Sequence, residues 1–252
     1  MERNGVPIDG KEFRLFVTGT DTGVGKTEAA CAVLSLLAAA GRSPAAMKPY
    51  ESGCANWRRP PDAMALKAAA RCDDPLDRIC PYRFRAPLAP GVAAARRRET
   101  PSFARVVALA RSFCERPLVI EGAGGLFVPI DARRDIIDLI QVLKLPVLLV
   151  ARAGLGTLNH TGLSLEALAR RGIPVRAVLL TKITEASDPS ERDNAEWLQR
   201  RHRVPVLGPV TFVPDPVRRR AAYRRALRPL LTALAQGRRA ASRPRPRSET
   251  NG

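Results

Sequence analysis

Gly25-Lys26-Thr27 stands where an apolar run meets an Ala/Leu-rich one, in the stretch LFVTGTDTGVGKTEAACAVLSLL from Leu15 to Leu37. Such a segment reads as strand, tight turn and helix, the setting a phosphate-binding loop requires. The turn's backbone N–H groups form an anion nest, and the start of the helix adds a favourable dipole. Gly23 and Gly25 let the main chain approach phosphate oxygens without an intervening Cβ. Lys26 is then placed to bridge the β and γ phosphates, and the Thr27 hydroxyl to coordinate Mg²⁺. The spacing is one residue longer than the strict G-x-x-x-x-G-K-[ST] pattern: Thr20 stands where glycine is usual, and the glycine is Gly19. The chemistry is that of a nucleoside triphosphate and its terminal phosphoryl group.

Three further segments bring charge towards the same place. Lys48-Pro49-Tyr50-Glu51-Ser52-Gly53 follows a second short apolar run, so a lysine falls at a strand's carboxyl end, where open α/β sheets bind ligands. Glu121-Gly122-Ala123-Gly124-Gly125 follows a third, and a carboxylate ending an apolar strand is costly to bury without a partner. Asp62 follows Pro60-Pro61 at the start of a helical stretch. Taken singly, Asp62 reads as a helix cap, and Lys48 equally as a surface lysine before a proline or as a site residue. Together, Thr27, Asp62 and Glu121 offer Mg²⁺ hard oxygen ligands, with water and phosphate completing the octahedron.

These residues need a scaffold that gathers strand ends. Short β-branched or aliphatic runs predict strands at Arg14–Thr18, Ala45–Lys48, Leu118–Glu121, Val147–Ala151, Ala177–Thr181 and Val206–Val210. Helical stretches are predicted near 26–40, 62–71, 102–115, 135–143, 157–171, 189–203 and 217–235, with Ser102, Asp135 and Ser190 as N-caps. The alternation implies βαβ units, and runs such as PVLLVA suit strands covered on both faces. The expected fold is a three-layer α/β domain with a mainly parallel central sheet and helices on both sides. Residues 13–236 form the single domain, after an N-terminal extension (1–12). Pro81–Pro101, with its arginine cluster, reads as a surface excursion, and 237–252 as a basic, disordered tail.

Composition narrows the function classes. The 252 residues carry 42 Lys+Arg against 24 Asp+Glu, a formal charge of +18. Residues 218–252 hold eleven of the arginines and one acid, Glu249. No aromatics interleave with the tail arginines to stack on bases, so a codon-bias origin is preferred over nucleic-acid binding. No apolar run approaches the roughly 20 residues of a membrane-crossing helix. Five cysteines, widely spaced and without Cys-x-x-Cys, read as free thiols in a reducing cytoplasm.

With GTDTGVGKT (19–27), KPYESG (48–53), PDAMAL around Asp62, VIEGAGG (119–125) and ARAGLGTLNHTGLSLEAL (151–168), the sequence resembles the dethiobiotin synthetases, from about Phe13 to about Pro214. The resemblance implies a P-loop NTPase-like fold and an ATP-dependent cyclo-ligase. Its substrate is 7,8-diaminopelargonate, carboxylated with CO₂ to close a ureido ring, with Mg²⁺ as cofactor. It implies nucleotide contacts from Gly23, Val24, Gly25, Lys26, Thr27 and Glu28, from Asp62, and from Glu121, Gly122, Ala123 and Gly124. Around the base it implies Thr181, Lys182, Thr211, Phe212 and Val213. Lys48 and Lys26 become the catalytic lysines, with Thr22 and Ser52 on the substrate. A homodimer is implied as well, in which Gly156-Thr157-Leu158-Asn159 of one subunit binds the substrate carboxylate of the other.

One departure bears on the base. The family usually has an asparagine that pairs with adenine where this chain has Thr181-Lys182-Ile183-Thr184, and a hydroxyl cannot make that two-point contact. Nucleotides other than ATP therefore stay open, although Thr184 stands where strict guanine readers have aspartate. Phe212 reads equally as a base-packing or a core residue. The competing classes are a partitioning ATPase using the basic tail on DNA and an amide-forming synthetase acting on a cobalamin precursor. The first carries a second lysine where this chain has Asp21; the second needs a nucleophilic cysteine whose surroundings are absent here.

Overall fold

The computed structural model describes residues 13–241, with side chains described to residue 231. The expected N-terminal extension lies outside the described residues. Among the described residues, eight strands and nine helices occur in the order β1 (Arg14–Gly19), α1 (Lys26–Ala39), β2 (Ala45–Met47), β3 (Tyr50–Ser52), α2 (Pro61–Ala70), α3 (Leu76–Ile79), β4 (Tyr82–Phe84), α4 (Pro90–Arg96), α5 (Phe103–Ser112), β5 (Leu118–Glu121), α6 (Ile136–Leu143), β6 (Val147–Arg152), α7 (Thr157–Arg170), β7 (Val175–Thr181), α8 (Glu191–His202), β8 (Val206–Val210) and α9 (Pro216–Ala241). The central sheet runs β2-β5-β1-β6-β7-β8, every pairing parallel.

Successive residues of a strand face opposite sides, and here both sides are apolar. Leu15, Val17, Val119, Leu148, Val150 and Leu179 pack with α1, α2 and α9 through Val33, Leu34, Leu66 and Leu227. Phe16, Ile120, Leu149, Val178 and Leu180 pack on the other side with α5, α6, α7 and α8 through Val106, Ile136, Leu168 and Leu198. Two cores on one sheet make the three expected layers.

Parallel register does the positioning. Val17 pairs with Glu121, Met47 with Ile120, Gly19 with Val150 and Arg152 with Thr181. The carboxyl ends of β1, β2, β5, β6 and β7 therefore open on one rim. The chain crosses from β1 to β2 on one side and later to β6 on the other, so the turn after β1 sits where the strand order reverses.

The six expected strands are present, each within two residues of its predicted ends. Two short strands were not expected: β3 and β4 form a separate parallel pair, Tyr50 beside Tyr82 and Ser52 beside Phe84. They turn part of the expected surface excursion inwards, because Phe84 is 1% exposed and packs with the buried Tyr50. Ser102 caps α5 through Arg105 N–H, and Asp135 forms a capping box with Asp138. Ser190 does not cap α8. Its backbone is helical (φ −69°, ψ −20°) rather than extended; its hydroxyl and N–H donate to Asp188 Oδ1, and its Oγ accepts from the Asn194 side chain instead of a helix N–H. Helix α9 runs past the expected boundary at 236 to Ala241, and the rest of the expected disordered tail lies outside the described residues.

All five cysteines are free thiols. Burial pushes Cys31 up to about 12 and Cys54 up to about 11, with Glu121 and Glu51 respectively adding to the shift. Cys114 is exposed. A disulfide-exchange reagent at pH 8 is expected to label Cys114 first and partly buried Cys72 slowly. Cys31, Cys54 and Cys80 should react only in denaturant, because the thiolate is the reacting form. Fast labelling of Cys31 or Cys54 in the native protein would contradict this packing.

Candidate active site

Helix α1 opens at Gly25, whose φ of 92° lies in the left-handed region, as does that of Gly23 at 75°. These two conformations turn the loop so that its amides face inward. Lys26 is buried and folds back, its Nζ donating to the Asp21 carbonyl at 2.6 Å. Desolvation lowers its pKa to about 8, and repulsion from Lys48 acts in the same direction. A polyphosphate is the natural counter-charge for an ammonium in that position.

At the adjoining strand ends four side chains meet. Lys48, 4% exposed, places Nζ 2.5 Å from Glu121 Oε1, 2.9 Å from Asp62 Oδ2 and 3.2 Å from the Gly122 carbonyl. Thr27 Oγ1 donates to the same Glu121 oxygen at 2.8 Å. Desolvation works against the charge on Lys48, but Glu121 and Asp62 outweigh it and hold the ammonium above its ordinary range. Glu121 Oε2 is buried without a hydrogen-bond partner. Two donors on one carboxylate oxygen and none on its twin leave an acceptor suited to a cation.

Thr22, Gly23, Gly25, Lys26, Thr27, Glu28, Lys48, Ser52, Asp62, Glu121, Ala123 and Gly124 all line one cavity of about 570 Å³. Twelve of the expected site residues thus share a single space. Val24 is wholly buried beneath the loop.

Other expected residues lie elsewhere. Gly156, Thr157, Leu158 and Asn159 are away from this cavity, at the turn into α7; Leu158 and Asn159 border a separate groove between α7 and α8. Thr211, Phe212 and Val213 follow β8 on the same rim but do not line the cavity. Lys182 pairs with Glu191 at 2.8 Å. Thr181, expected near the base, is fully buried, its hydroxyl 2.7 Å from the Val24 carbonyl and 3.2 Å from that of Ala151. A hydroxyl has one proton, so this side chain is committed to the phosphate loop rather than to a base. Thr181→Val is expected to cost about 1 kcal/mol of stability by leaving the Val24 carbonyl unpaired. It should weaken all nucleotides alike, leaving the ATP:GTP affinity ratio unchanged in competition titrations; a changed ratio would put Thr181 back at the base.

Residues 14–220 match the family described as an AAA domain. An ATP-dependent dethiobiotin synthetase BioD of Anaeromyxobacter sp. (strain K) is 50% identical over 208 residues, 81% of this chain and 92% of that one. The chain belongs to the dethiobiotin synthetase family. The BioD of Anaeromyxobacter dehalogenans (strain 2CP-C) is 49% identical over 225 residues, 88% of this chain and 98% of that one. Among solved structures, chloroplast FtsY from Physcomitrella patens is 16% identical, covering 86% of this chain and 65% of that one with a TM-score of 0.43. As a dethiobiotin synthetase the chain is an ATP-dependent ligase of biotin synthesis.

Several residues that shape this synthetase's cavity or the turns near it were not singled out from the sequence. Pro87, Leu88, Ala89 and Pro90, inside the expected surface excursion, form one cavity wall, because β4 lies beside β3 and delivers them there. Glu51 also lines the cavity and is 2% exposed. Asp188 accepts from Leu155 N–H at 2.6 Å and Asn194 donates to the Ala153 carbonyl at 2.8 Å, so two distant side chains fix the turn before α7. Arg219 joins Glu28 (2.8 Å) to the carbonyls of Val213 and Pro214, tying the loop after β8 to the first turn of α1. The usable signals were weak: an acidic residue beside an expected site lysine, and arginine at the start of a helix.

Proposed function

We propose that the chain binds 7,8-diaminopelargonate, CO₂ and ATP and closes the ureido ring of dethiobiotin, releasing ADP and phosphate. The observation that carries this reading is the meeting of Lys48, Asp62, Glu121 and Thr27 beside the phosphate loop in one cavity. One substrate amine takes up CO₂ as a carbamate and loses a proton. A carbamate oxygen attacks the γ-phosphorus as the bond to ADP breaks, and the second amine attacks the carbamoyl carbon, expelling phosphate. The substrate supplies both nucleophiles, so the protein's part is positioning and charge stabilisation.

In that sequence the loop amides and Lys26 hold the polyphosphate. Lys48 faces the carbamate and the phosphoryl group in transit, while Thr22 and Ser52 anchor the diamine end. Thr27, Glu121 and Asp62 would hold magnesium. Among the described residues no three His, Cys, Asp or Glu are grouped so that they could hold a metal; with two carboxylates here, the Thr27 hydroxyl, phosphate and water would complete the shell. Two carboxylates, one of them with the unpartnered Glu121 oxygen, and a hydroxyl are the hard donors Mg²⁺ prefers. Magnesium, when bound, would offset negative charge on the phosphoryl oxygens.

A homodimer accounts for the start of α7. Leu155 is 87% exposed and Leu158 43%, and Asn159 is exposed beside them, outside their own chain's cavity. Such a ridge suits insertion against a second copy, where the Gly156–Asn159 turn would meet the substrate carboxylate. We also place the enzyme in the reducing cytoplasm, since its thiols are free; no helix among the described residues is long and apolar enough to cross a membrane. The partitioning reading finds no support at Asp21, whose carboxylate faces Arg152 at 3.2 Å.

The test follows phosphate release and product mass with single nucleotides. Phosphate should appear only with diamine and bicarbonate both present, one per ring closed; nucleotide hydrolysis stimulated by DNA instead would overturn the proposal.

A further inference from the structure

Asp62 owes its place to a residue that no role above uses. Helix α2 lacks a cap of its own: Pro60 occupies the N-cap position and Pro61 the first helical one, with no side-chain cap. The N–H groups of the first turn still need partners. Glu51 of β3 supplies them from eleven residues back, Oε1 accepting from Asp62 N and Oε2 from Ala63 N, each at 2.9 Å. Both carboxylate oxygens are thus used on consecutive amides at the positive end of a helix, the geometry of a strong charge-assisted pair. Glu51 is buried, lines the cavity, and lies three residues after Lys48, which in turn bonds the Asp62 side chain.

We infer that Glu51 is a positioning residue: by clamping the first turn of α2 to β3, it holds the Asp62 carboxylate against Lys48 and the magnesium donors. An ordinary helix cap would place α2 but leave it unregistered to the cavity wall. This clamp joins the two directly, since one backbone segment carries both Lys48 and Glu51. The inference rests on Asp62 being a magnesium ligand. Partners that orient metal ligands typically change metal affinity by about 10–100-fold when removed.

The test measures binding rather than turnover, by titrating Mg²⁺ into the full chain with a non-hydrolysable ATP analogue. Glu51→Ala is expected to raise the Mg²⁺ concentration at half-saturation about tenfold, with analogue affinity in EDTA unchanged. Asp62→Asn should raise it comparably, and the double variant no further than Asp62→Asn alone. Glu51→Gln keeps the volume and one acceptor oxygen, so it should fold even where alanine fails and give a shift between parent and alanine. An unmoved Glu51→Gln midpoint, or fully additive losses in the double variant, would overturn the inference while leaving Asp62 as a ligand. If Asp62→Asn leaves the midpoint unmoved, the metal assignment itself fails, and the inference with it.

Discussion

Lys48→Ala is expected to lower turnover by about a thousandfold or more while nucleotide affinity stays within about threefold. Preorganised charge aimed at a developing transition state contributes about 10²–10³-fold per donor. Lys48 is a buried ammonium rather than a neutral donor, and among the described residues no other lysine apart from Lys26 lines the cavity. Lys26 folds back on the loop, where it serves the polyphosphate, and cannot substitute. Nucleotide binding should survive because Lys48 lies beyond the loop that carries the amides. The substitution also leaves Glu121 and Asp62 facing each other without the cation, so a modest loss of stability is expected, smaller once Mg²⁺ is added. Single-turnover phosphate release, calorimetric nucleotide titration and thermal unfolding with and without Mg²⁺ check each part. Ring closure at the parental rate would remove Lys48 from the mechanism.

Gly25→Ala is the second large effect, and it acts through two separable costs. At φ of 92° an L-residue is strained by about 1–2 kcal/mol. An added Cβ would also stand only 2.3 Å from the Tyr223 hydroxyl. Tyr223 is 5% exposed and packed against α1 among Leu34 and Leu227, so its ring has little freedom to yield. A total destabilisation of about 2–4 kcal/mol is expected, with nucleotide affinity reduced at least tenfold because the loop amides must turn away. Adding Tyr223→Phe to Gly25→Ala removes the clashing oxygen and should restore the steric part only. Urea unfolding of the parent and both variants separates the two costs. A Gly25→Ala protein with parental stability and affinity would mean that α9 does not press on the loop as described.

Most of the frame was legible because a doubly covered parallel sheet writes itself as continuous apolar runs. PVLLVA and RAVLLT have no other plausible location, and once those strands are parallel their ends must share a rim. Lys48, Glu121 and Thr27 could therefore be grouped from strand ends alone. Asp62 was harder, since its position after two prolines fits a cap equally well; the cap position belongs to Pro60, and Asp62 is free to face Lys48.

What stayed hidden depends on contacts between distant residues. β3 and β4 are three residues each, too short for any periodicity, and pair residues 32 positions apart, as Tyr50 with Tyr82. Without that pairing, Pro87–Pro90 reads as a surface loop and Glu51 as one more acid. Thr181 illustrates the opposite error. Its place in the chain pointed to the base, yet a small hydroxyl at the end of a buried strand found a carbonyl of the phosphate loop first.

The central claim is that Lys48 and the oxygens of Thr27, Asp62 and Glu121 converge on the terminal phosphate. A crystal structure with Mg²⁺ and a non-hydrolysable ATP analogue tests it most directly. The account predicts the metal within bonding or water-bridged reach of all three oxygen donors, and the Lys48 ammonium beside the γ-phosphate. A metal held by other groups, or a γ-phosphate out of reach of Lys48, would contradict it.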